Sequence, residues 1–166
     1  MLSRFIQKNS LGVNFTETAN SYYCPLANKL ALKCKQHKKE KRIPPLFVGI
    51  NGCQGSGKST LVEFLAIYLK EQFSLSVAVL SLDDFYLNQE KRHNLAANIH
   101  PLFKTRGVPA THDTLLLKQT LVQLKDINSR NNSADKLRKT ICLSRFDKAQ
   151  DNPLAAQYWP KITSRV

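Results

Sequence analysis

The 166-residue chain has no apolar run long enough to cross a bilayer, and its N-terminus lacks the apolar stretch of a secretory leader. Its four cysteines form neither a CxxC pair nor any other metal-ligand spacing: Cys24, Cys34, Cys53 and Cys142. Because a disulfide at Cys53 would distort the glycine-rich segment around it, reduced thiols are the simpler interpretation. These absences predict a cytoplasmic protein without a membrane segment.

Acidic residues are scarce, with 12 Asp and Glu against 25 Lys and Arg, and the formal net charge is +13. Such a surface attracts nucleotides, phosphorylated metabolites, nucleic acid or acidic lipid without choosing among them. The basic stretch at 33–42, "KCKQHKKEKR", is most simply a solvated helix face, and a nucleic-acid patch is the alternative. No aromatic residues are interleaved there to stack bases, and no recognition motif occurs, which disfavours a nucleic-acid partner.

Alternation of strand-like and helix-like segments predicts an α/β fold. Residues 1–43 read as a helical preface that "IPP" ends, and residues 44–166 as the remaining domain. Short apolar runs predict strands buried in a sheet at 46–51, 76–85 and 140–146. Helical periodicity predicts helices at 61–70, 88–99 and 114–125, the last capped by Thr111 or Asp113. The polar segment 126–139 predicts a surface loop.

The segment "GCQGSGKST" matches the phosphate-binding pattern G-x-x-x-x-G-K-[ST] between a predicted strand and a predicted helix. Glycines let the backbone turn its N–H groups around an anion, and the following helix adds the positive end of its dipole. Lysine can reach the β- and γ-phosphates, and the serine hydroxyl can ligate Mg²⁺. The predicted nucleotide-binding residues are Gly52, Cys53, Gln54, Gly55, Ser56, Gly57, Lys58, Ser59 and Thr60. A glycine-rich turn without a ligand is the alternative.

Two adjacent acids, Asp83 and Asp84, end the second predicted strand in "SLDDFY". Side chains that alternate along a strand face opposite sides, so the two acids should do different work. A carboxylate at this position can accept the proton of a substrate hydroxyl that attacks the γ-phosphate, or orient Mg²⁺ through water. The alternative is that both acids simply begin a turn.

Together, "GCQGSGKST", "SLDDFY", "TRGVPATHD" and "RFDKA" resemble the P-loop small-molecule kinases, above all the D-glycerate 3-kinase branch, from about Ile50 to Trp159. The wider group includes uridine kinase, phosphoribulokinase and pantothenate kinase. The resemblance implies a parallel sheet with flanking helices. It also implies Mg²⁺-dependent transfer of the ATP γ-phosphate to a hydroxyl of a small metabolite, with D-glycerate the first candidate.

The resemblance also assigns roles to single residues. It implies that Asp83 lies beside the accepting hydroxyl and acts with Lys58 in catalysis, and that Ser59 and Asp83 support the metal. The implied acceptor side comprises Asp84, Tyr86, Arg106, His112, Asp113 and Arg145. A guanidinium fork suits the carboxylate of a hydroxy acid, although either arginine could equally be a surface residue. For His112, a loop or capping role is the simpler interpretation.

The chain departs from these kinases where their next strand, with its "EGW"-like acidic motif, and their lid would follow. This departure predicts an incomplete sheet with an unpaired strand edge, and weak or absent turnover by this chain alone. A nucleotide-binding protein with little catalysis is therefore the alternative. Ser144 also stands where proline is usual. Pantothenate-like, nucleoside or sugar acceptors remain open, as does the oligomeric state.

Overall fold

A computed structural model describes residues 1–39, 45–127 and 139–163 of the chain. The chain divides into two compact units, Met1–Val79 and Leu80–Val166. The first unit contains α1 (Leu2–Lys8), α2 (Phe15–Thr18), a π-helical turn (Ala19–Tyr23), α3 (Cys24–Lys39) and α4 (Lys58–Phe73). The second unit contains 3₁₀ turns (Leu82–Phe85, Pro101–Lys104, Ala156–Tyr158), helices α5 (Gln89–Asn98) and α6 (Thr114–Asp126), and strands β1 (Thr140–Cys142), β2 (Phe146–Asp147), β3 (Asn152–Pro153) and β4 (Lys161–Thr163).

Helix α4 forms the centre of the first unit. It begins directly after the glycine-rich loop and ends at Phe73, and the next residue, Ser74, adopts the left-handed conformation with φ 51°. Leu65 and Leu69 lie four residues apart on one face of α4 and pack in one cluster with Ala27 and Ala31 of α3. The small side chains let the two helices approach closely.

A second cluster in this unit joins Phe64 of α4 to Phe5 and Ala19. Residues 2–8 and 15–39 of the preface are therefore helical, and the preface packs on the helix that follows the glycine-rich loop. Residues 40–43 lie outside the described residues, and the domain boundary after residue 43 stays a prediction.

In the second unit, α6 packs against the antiparallel pair of β1 and β4. Leu124 and Ile127 share a buried cluster with Ile141 and Leu143. The two strands pair antiparallel, with Ile141 opposite Ile162. A separate pair, β2 with β3, places Phe146 opposite Pro153 and Asp147 opposite Asn152. The predicted helices at 61–70, 88–99 and 114–125 are confirmed by α4, α5 and α6.

The predicted strands at 46–51 and 76–85 are wrong. Residues 46–51 have no regular secondary structure, Phe47 and Val48 are each 51% exposed, and Leu82–Phe85 is a 3₁₀ turn. A short apolar run becomes a buried strand only when neighbouring strands supply hydrogen bonds and flanking helices cover both faces, and no such strand pairing occurs for these runs in the described residues. The strands that the structure describes form two antiparallel pairs, so a parallel sheet is not among them.

The third predicted strand, 140–146, is divided into β1 and β2. Most of the predicted surface loop, at 128–138, lies outside the described residues. None of the helices within the described ranges is long and apolar enough to span a membrane.

Candidate functional site

The glycine-rich loop of the first unit curls around its own lysine. Gly55 and Gly57 both have φ +77°, a left-handed conformation that favours glycine, and Gly57 is the residue that precedes α4. Lys58 opens α4, and its Nζ donates to the backbone carbonyls of Gly52 at 2.7 Å and Cys53 at 2.5 Å. The lysine ammonium therefore points back over the loop rather than away from it.

Solvent reaches most of this loop. Residues 51–57 are exposed, Ser59 is exposed, and Thr60 is half-buried in the first turn of α4. A Cβ atom on Gly52 would meet Ser56 Oγ at 2.9 Å, so a larger residue at this position would require the Ser56 side chain to move. All nine predicted nucleotide-binding residues are thus contiguous at a helix N-terminus, where free backbone N–H groups can bind an anion.

One residue outside the predicted set also shapes this loop. Asn51 Oδ1 accepts a hydrogen bond from the Gly52 N–H at 2.8 Å. Sequence reasoning treated Asn51 as the end of a strand, so it gave no signal for this contact.

In the second unit, Asp84 joins two segments that are distant in sequence. Its Oδ2 lies 3.0 Å from Arg145 Nη1, and its Oδ1 accepts from the Phe146 N–H at 3.2 Å. The buried Ser144 hydroxyl donates to the Asp84 backbone carbonyl at 2.8 Å. Asp84 therefore fixes the start of the "RFDKA" segment against the "SLDDFY" segment.

Asp83 has a different environment from its neighbour. Its side chain is 45% exposed, and its Oδ2 lies 2.8 Å from Lys148 Nζ. The hydrogen bond from Lys148 lowers the pKa of Asp83 against the opposing effect of burial, and the Tyr86 hydroxyl also lowers it. The acids differ in environment, but they lie in a 3₁₀ turn and not on the predicted strand, and different work for the two stays a prediction. An ionised carboxylate is suited to accept a hydrogen bond from a substrate hydroxyl.

An aromatic cluster connects three of the motifs. The Tyr86 and His112 rings stack with centroids 4.2 Å apart, and Phe146 meets Tyr86 edge-on at 5.6 Å. The Arg106 guanidinium lies over the Phe146 ring, 5.3 Å from its centroid. Burial, followed by the charge of Asp83, raises the pKa of Tyr86. The structure therefore brings together Tyr86, Arg106 and His112.

Asp113, another predicted acceptor-side residue, caps a helix. Its Oδ1 accepts from the Leu116 N–H at 2.9 Å at the start of α6, and its own N–H donates to the Phe85 carbonyl at 2.6 Å. Of the two capping candidates, Asp113 is the one that the structure confirms. Arg145 pairs with Asp84 and Arg106 pairs with Asp151, and the two arginine side chains are 29% and 30% exposed.

Sequence reasoning missed several residues that organise this region. Arg92 is only 1% exposed and bonds to Asp151, yet within the polar run at 88–99 it looks like a surface charge. Lys148 lies in the quoted "RFDKA" motif, but the sequence did not indicate that its side chain pairs with Asp83.

The predicted metal ligands are divided between the units: Ser59 lies in the first and Asp83 in the second. Within the described parts of the chain, no group of three or more His, Cys, Asp or Glu side chains could hold a metal ion. A hydroxyl and a carboxylate are nevertheless hard oxygen donors of the kind that Mg²⁺ prefers, and Mg²⁺ commonly takes few ligands from the protein.

Comparisons with curated proteins find similar chains that are named as kinases. The chain is 29% identical over 171 aligned positions to the chloroplastic D-glycerate 3-kinase of Arabidopsis thaliana, which covers 97% of this chain and 36% of that protein. It is 45% identical over 89 positions to the uncharacterized kinase mug58 of Schizosaccharomyces pombe, covering 52% of this chain and 31% of that protein. No protein-family model matches the chain.

Solved structures give the same result. The D-glycerate 3-kinase of Cryptococcus neoformans superposes with a TM-score of 0.69 at 28% identity, covering 87% of this chain and 49% of that one. The YGR205w protein superposes with a TM-score of 0.61 at 26% identity, covering 89% of this chain and 47% of that one. The chain thus spans about a third of its curated relatives and about half of these structures. The resemblance to D-glycerate 3-kinases is confirmed, and an α/β kinase fold is supported.

Proposed function

We propose, from the similarity to D-glycerate 3-kinases, that the chain binds ATP with Mg²⁺ and phosphorylates a small hydroxy acid, D-glycerate first. The observation that carries the nucleotide part is the loop in which Gly55 and Gly57 adopt φ +77° directly before Lys58 at the start of α4. Backbone N–H groups at such a turn can surround phosphate oxygens. The choice of a hydroxy acid as the substrate rests on the relatives that are named D-glycerate 3-kinase.

In the proposed complex, Lys58 exchanges its two carbonyl partners for phosphate oxygens. The Nζ atom now donates to Gly52 and Cys53, which are neutral acceptors, and a triphosphate offers charged ones. Charge-assisted hydrogen bonds are about twice as strong as neutral ones, so the exchange favours the bound nucleotide. Ser59 and Asp83, each in its own unit, stay the predicted protein ligands of Mg²⁺, an ion that would supply neutralisation of charge on the transferring phosphoryl group.

Asp83 is the proposed acceptor of the substrate proton. The hydroxyl oxygen of the acid attacks the γ-phosphorus, the bond to the β-phosphate oxygen breaks, and ADP leaves as the hydroxyl proton passes to the carboxylate. A lowered pKa makes Asp83 a weak base. Phosphoryl transfer through a loose transition state needs little base strength, so orientation of the hydroxyl is the larger contribution.

The test is a measurement of ATP affinity and of ATP consumption on a panel of D-glycerate, pantothenate, a nucleoside and a sugar. Lys58→Ala should weaken ATP binding by about 10- to 100-fold, the loss of a charged hydrogen bond. Lys70→Ala, an exposed change in the last turn of the same helix, is the matched control and should leave ATP binding unchanged.

Asp83→Asn should abolish D-glycerate-dependent ATP consumption while ATP still binds, and Asp126→Asn, an exposed acid at the end of α6, should not. ATP binding without consumption of any acceptor would favour the nucleotide-binding alternative over a kinase. Failure of the native protein to bind ATP, together with no effect of Lys58→Ala, would refute the proposal.

A further inference from the structure

Arg92 is a buried arginine of α5 that holds three segments of the second unit together. Its Nε donates to the Leu87 carbonyl at 3.1 Å and its Nη1 to the Lys104 carbonyl at 3.0 Å. Its Nη2 donates to both the carbonyl and the carboxylate Oδ2 of Asp151, at 3.0 and 2.6 Å. Burying a cation is costly unless it is paired and hydrogen-bonded, and here every guanidinium nitrogen has a partner.

Asp151 connects this buried arginine to Arg106. Its Oδ2 faces Arg92, and its Oδ1 lies 2.8 Å from Arg106 Nε. One carboxylate therefore serves two guanidinium groups, which leaves one positive charge in excess at this place. The backbone of Asp151 has φ 55°, a left-handed conformation that few residues other than Gly, Asn and Asp adopt. This conformation lets both the carbonyl and the carboxylate of Asp151 meet Arg92.

Arg106 is placed beside the residues that surround Asp83. Its guanidinium covers the Phe146 ring, and Phe146 contacts Tyr86, whose hydroxyl bonds to Asp83. The next residue, Gly107, has φ +90°, and a Cβ atom there would lie 4.0 Å from the Tyr86 hydroxyl. The Arg106 loop therefore passes close to the cluster that carries the proposed proton acceptor.

The orientation of Arg106 suits a second carboxylate. Asp151 Oδ1 forms an ion pair with Arg106 at 2.8 Å from Nε, without the geometry of a hydrogen bond, and the edge that bears Nη1 and Nη2 is the part of a guanidinium suited to a bidentate contact. The side chain is 30% exposed, so a ligand from solvent can reach it. A lysine at this position would lack both the fork and the flat face that lies on Phe146.

We propose that Arg92 and Asp151 are positioning residues, which orient Arg106 toward the carboxylate of a hydroxy acid substrate. The identity of that substrate rests on the proposed function, whereas the orientation of Arg106 does not. Neither Arg92 nor Asp151 contacts the substrate in this arrangement. Their loss therefore weakens binding of the acid through Arg106 and leaves ATP affinity unchanged.

The first test needs no ligand and uses the native chain. The Nε–Hε group of Arg106, assigned by the disappearance of its signal in Arg106→Lys, should show a higher NMR order parameter than that of the exposed Arg4, because the ion pair with Asp151 and the Phe146 ring restrict it. Asp151→Asn, which tolerates the same backbone conformation, should lower this order parameter toward the Arg4 value. An Arg106 order parameter as low as that of Arg4 in the native chain would refute the proposal, even if the variant failed to fold.

The second test is a double-mutant cycle on the dissociation constant of D-glycerate, measured by calorimetry with ATP affinity as a parallel readout. Arg106→Ala should raise this constant about 10- to 100-fold, and Asp151→Asn about fivefold. If Asp151 acts through Arg106, adding Asp151→Asn to Arg106→Ala should produce no further loss. Full additivity would show a merely structural role and refute the positioning.

The two proposals fail in different ways. If the native chain binds ATP but no hydroxy acid, the assignment of Arg106 to a substrate carboxylate is wrong and nucleotide binding stands. If ATP does not bind and D-glycerate still binds in an Arg106-dependent way, the proposed kinase function fails and the positioning stands. Asp126→Asn, remote in sequence and exposed, should change neither measurement.

Discussion

Lys148 and Asp83 form an ion pair across 65 positions of sequence, with Lys148 Nζ 2.8 Å from Asp83 Oδ2. This contact joins the "RFDKA" segment to the "SLDDFY" segment at the acid proposed to accept a proton. The two side chains are 65% and 45% exposed, so water screens the pair and its contribution to stability is small. Its main effect is on the protonation of Asp83.

Lys148→Met should raise the pKa of Asp83, because the hydrogen bond from Lys148 is the largest cause that lowers it. A lowered folded-state pKa gives stability that is present above the unfolded pKa of about 3.9 and lost as pH falls through the folded value. The variant should therefore move the acid limb of D-glycerate phosphorylation to higher pH and change stability at pH 7 by less than about 0.5 kcal/mol.

A carboxyl carbon titration of Asp83 by NMR measures this shift directly and does not depend on turnover. Lys148→Arg keeps a cationic donor, so it should restore most of the lowered pKa. An unchanged Asp83 titration in Lys148→Met would show that the contact does not control this acid.

The sequence allowed prediction of those features that depend on local chemistry. The glycine-rich loop, the helix that follows it and the Asp113 cap all depend on residues within a few positions of one another. The strands at 46–51 and 76–85 were wrong because an apolar run does not reveal whether neighbours will pair with it. Apolarity is a property of the segment itself, whereas the hydrogen bonds of a β-ladder depend on segments that can be distant in sequence.

Contacts across long sequence separations were also beyond sequence reasoning. Ser144 read as a minor departure from a usual proline, yet its buried hydroxyl bonds to the Asp84 carbonyl 60 positions away. Arg92 was hidden in the same way among polar neighbours. In both cases the residue type is ordinary, and only its partner in the fold gives it a role.

Ser144→Ala should destabilise the second unit by about 1 kcal/mol, because the Asp84 carbonyl loses a hydrogen bond at a buried position. Thr105→Val removes an exposed hydroxyl from the same unit and should stay within about 0.5 kcal/mol of the native protein. Urea denaturation measures both. Equal stability of the Ser144 variant and the native chain would mean that water satisfies the Asp84 carbonyl and that the Ser144 hydrogen bond does not contribute to stability.

Asp113→Ala should lower the free energy of unfolding by about 1 kcal/mol, because the variant loses the side-chain cap of α6. Asp113→Asn keeps an acceptor and should lower this free energy much less. The pair of variants also separates capping from substrate binding. If Asp113 only caps α6, the asparagine variant should retain native affinity for D-glycerate. A large loss of D-glycerate affinity in Asp113→Asn, at native stability, would instead place its charge at the acceptor.

Phe64→Ala should destabilise the first unit by about 3–5 kcal/mol, the usual cost of removing a large core side chain. Phe64 is fully buried, and its ring meets Phe5 edge-on at 5.5 Å and stacks on Tyr68 at 5.6 Å. It is thus one of the α4 residues on which the helical preface packs, beside Leu65 and Leu69, which contact α3. Thermal denaturation measures the loss, and Tyr22→Ala, at a position 70% exposed, is the matched aromatic control.

The same variant also tests whether the preface supports the glycine-rich loop. Because Phe64 lies on the helix that Lys58 opens, loss of its packing should loosen α1 and weaken ATP binding together. Limited proteolysis should then cut within residues 1–39 faster in Phe64→Ala than in Tyr22→Ala. Unchanged proteolysis and unchanged ATP affinity in Phe64→Ala would show that α4 and the loop hold their structure without the preface.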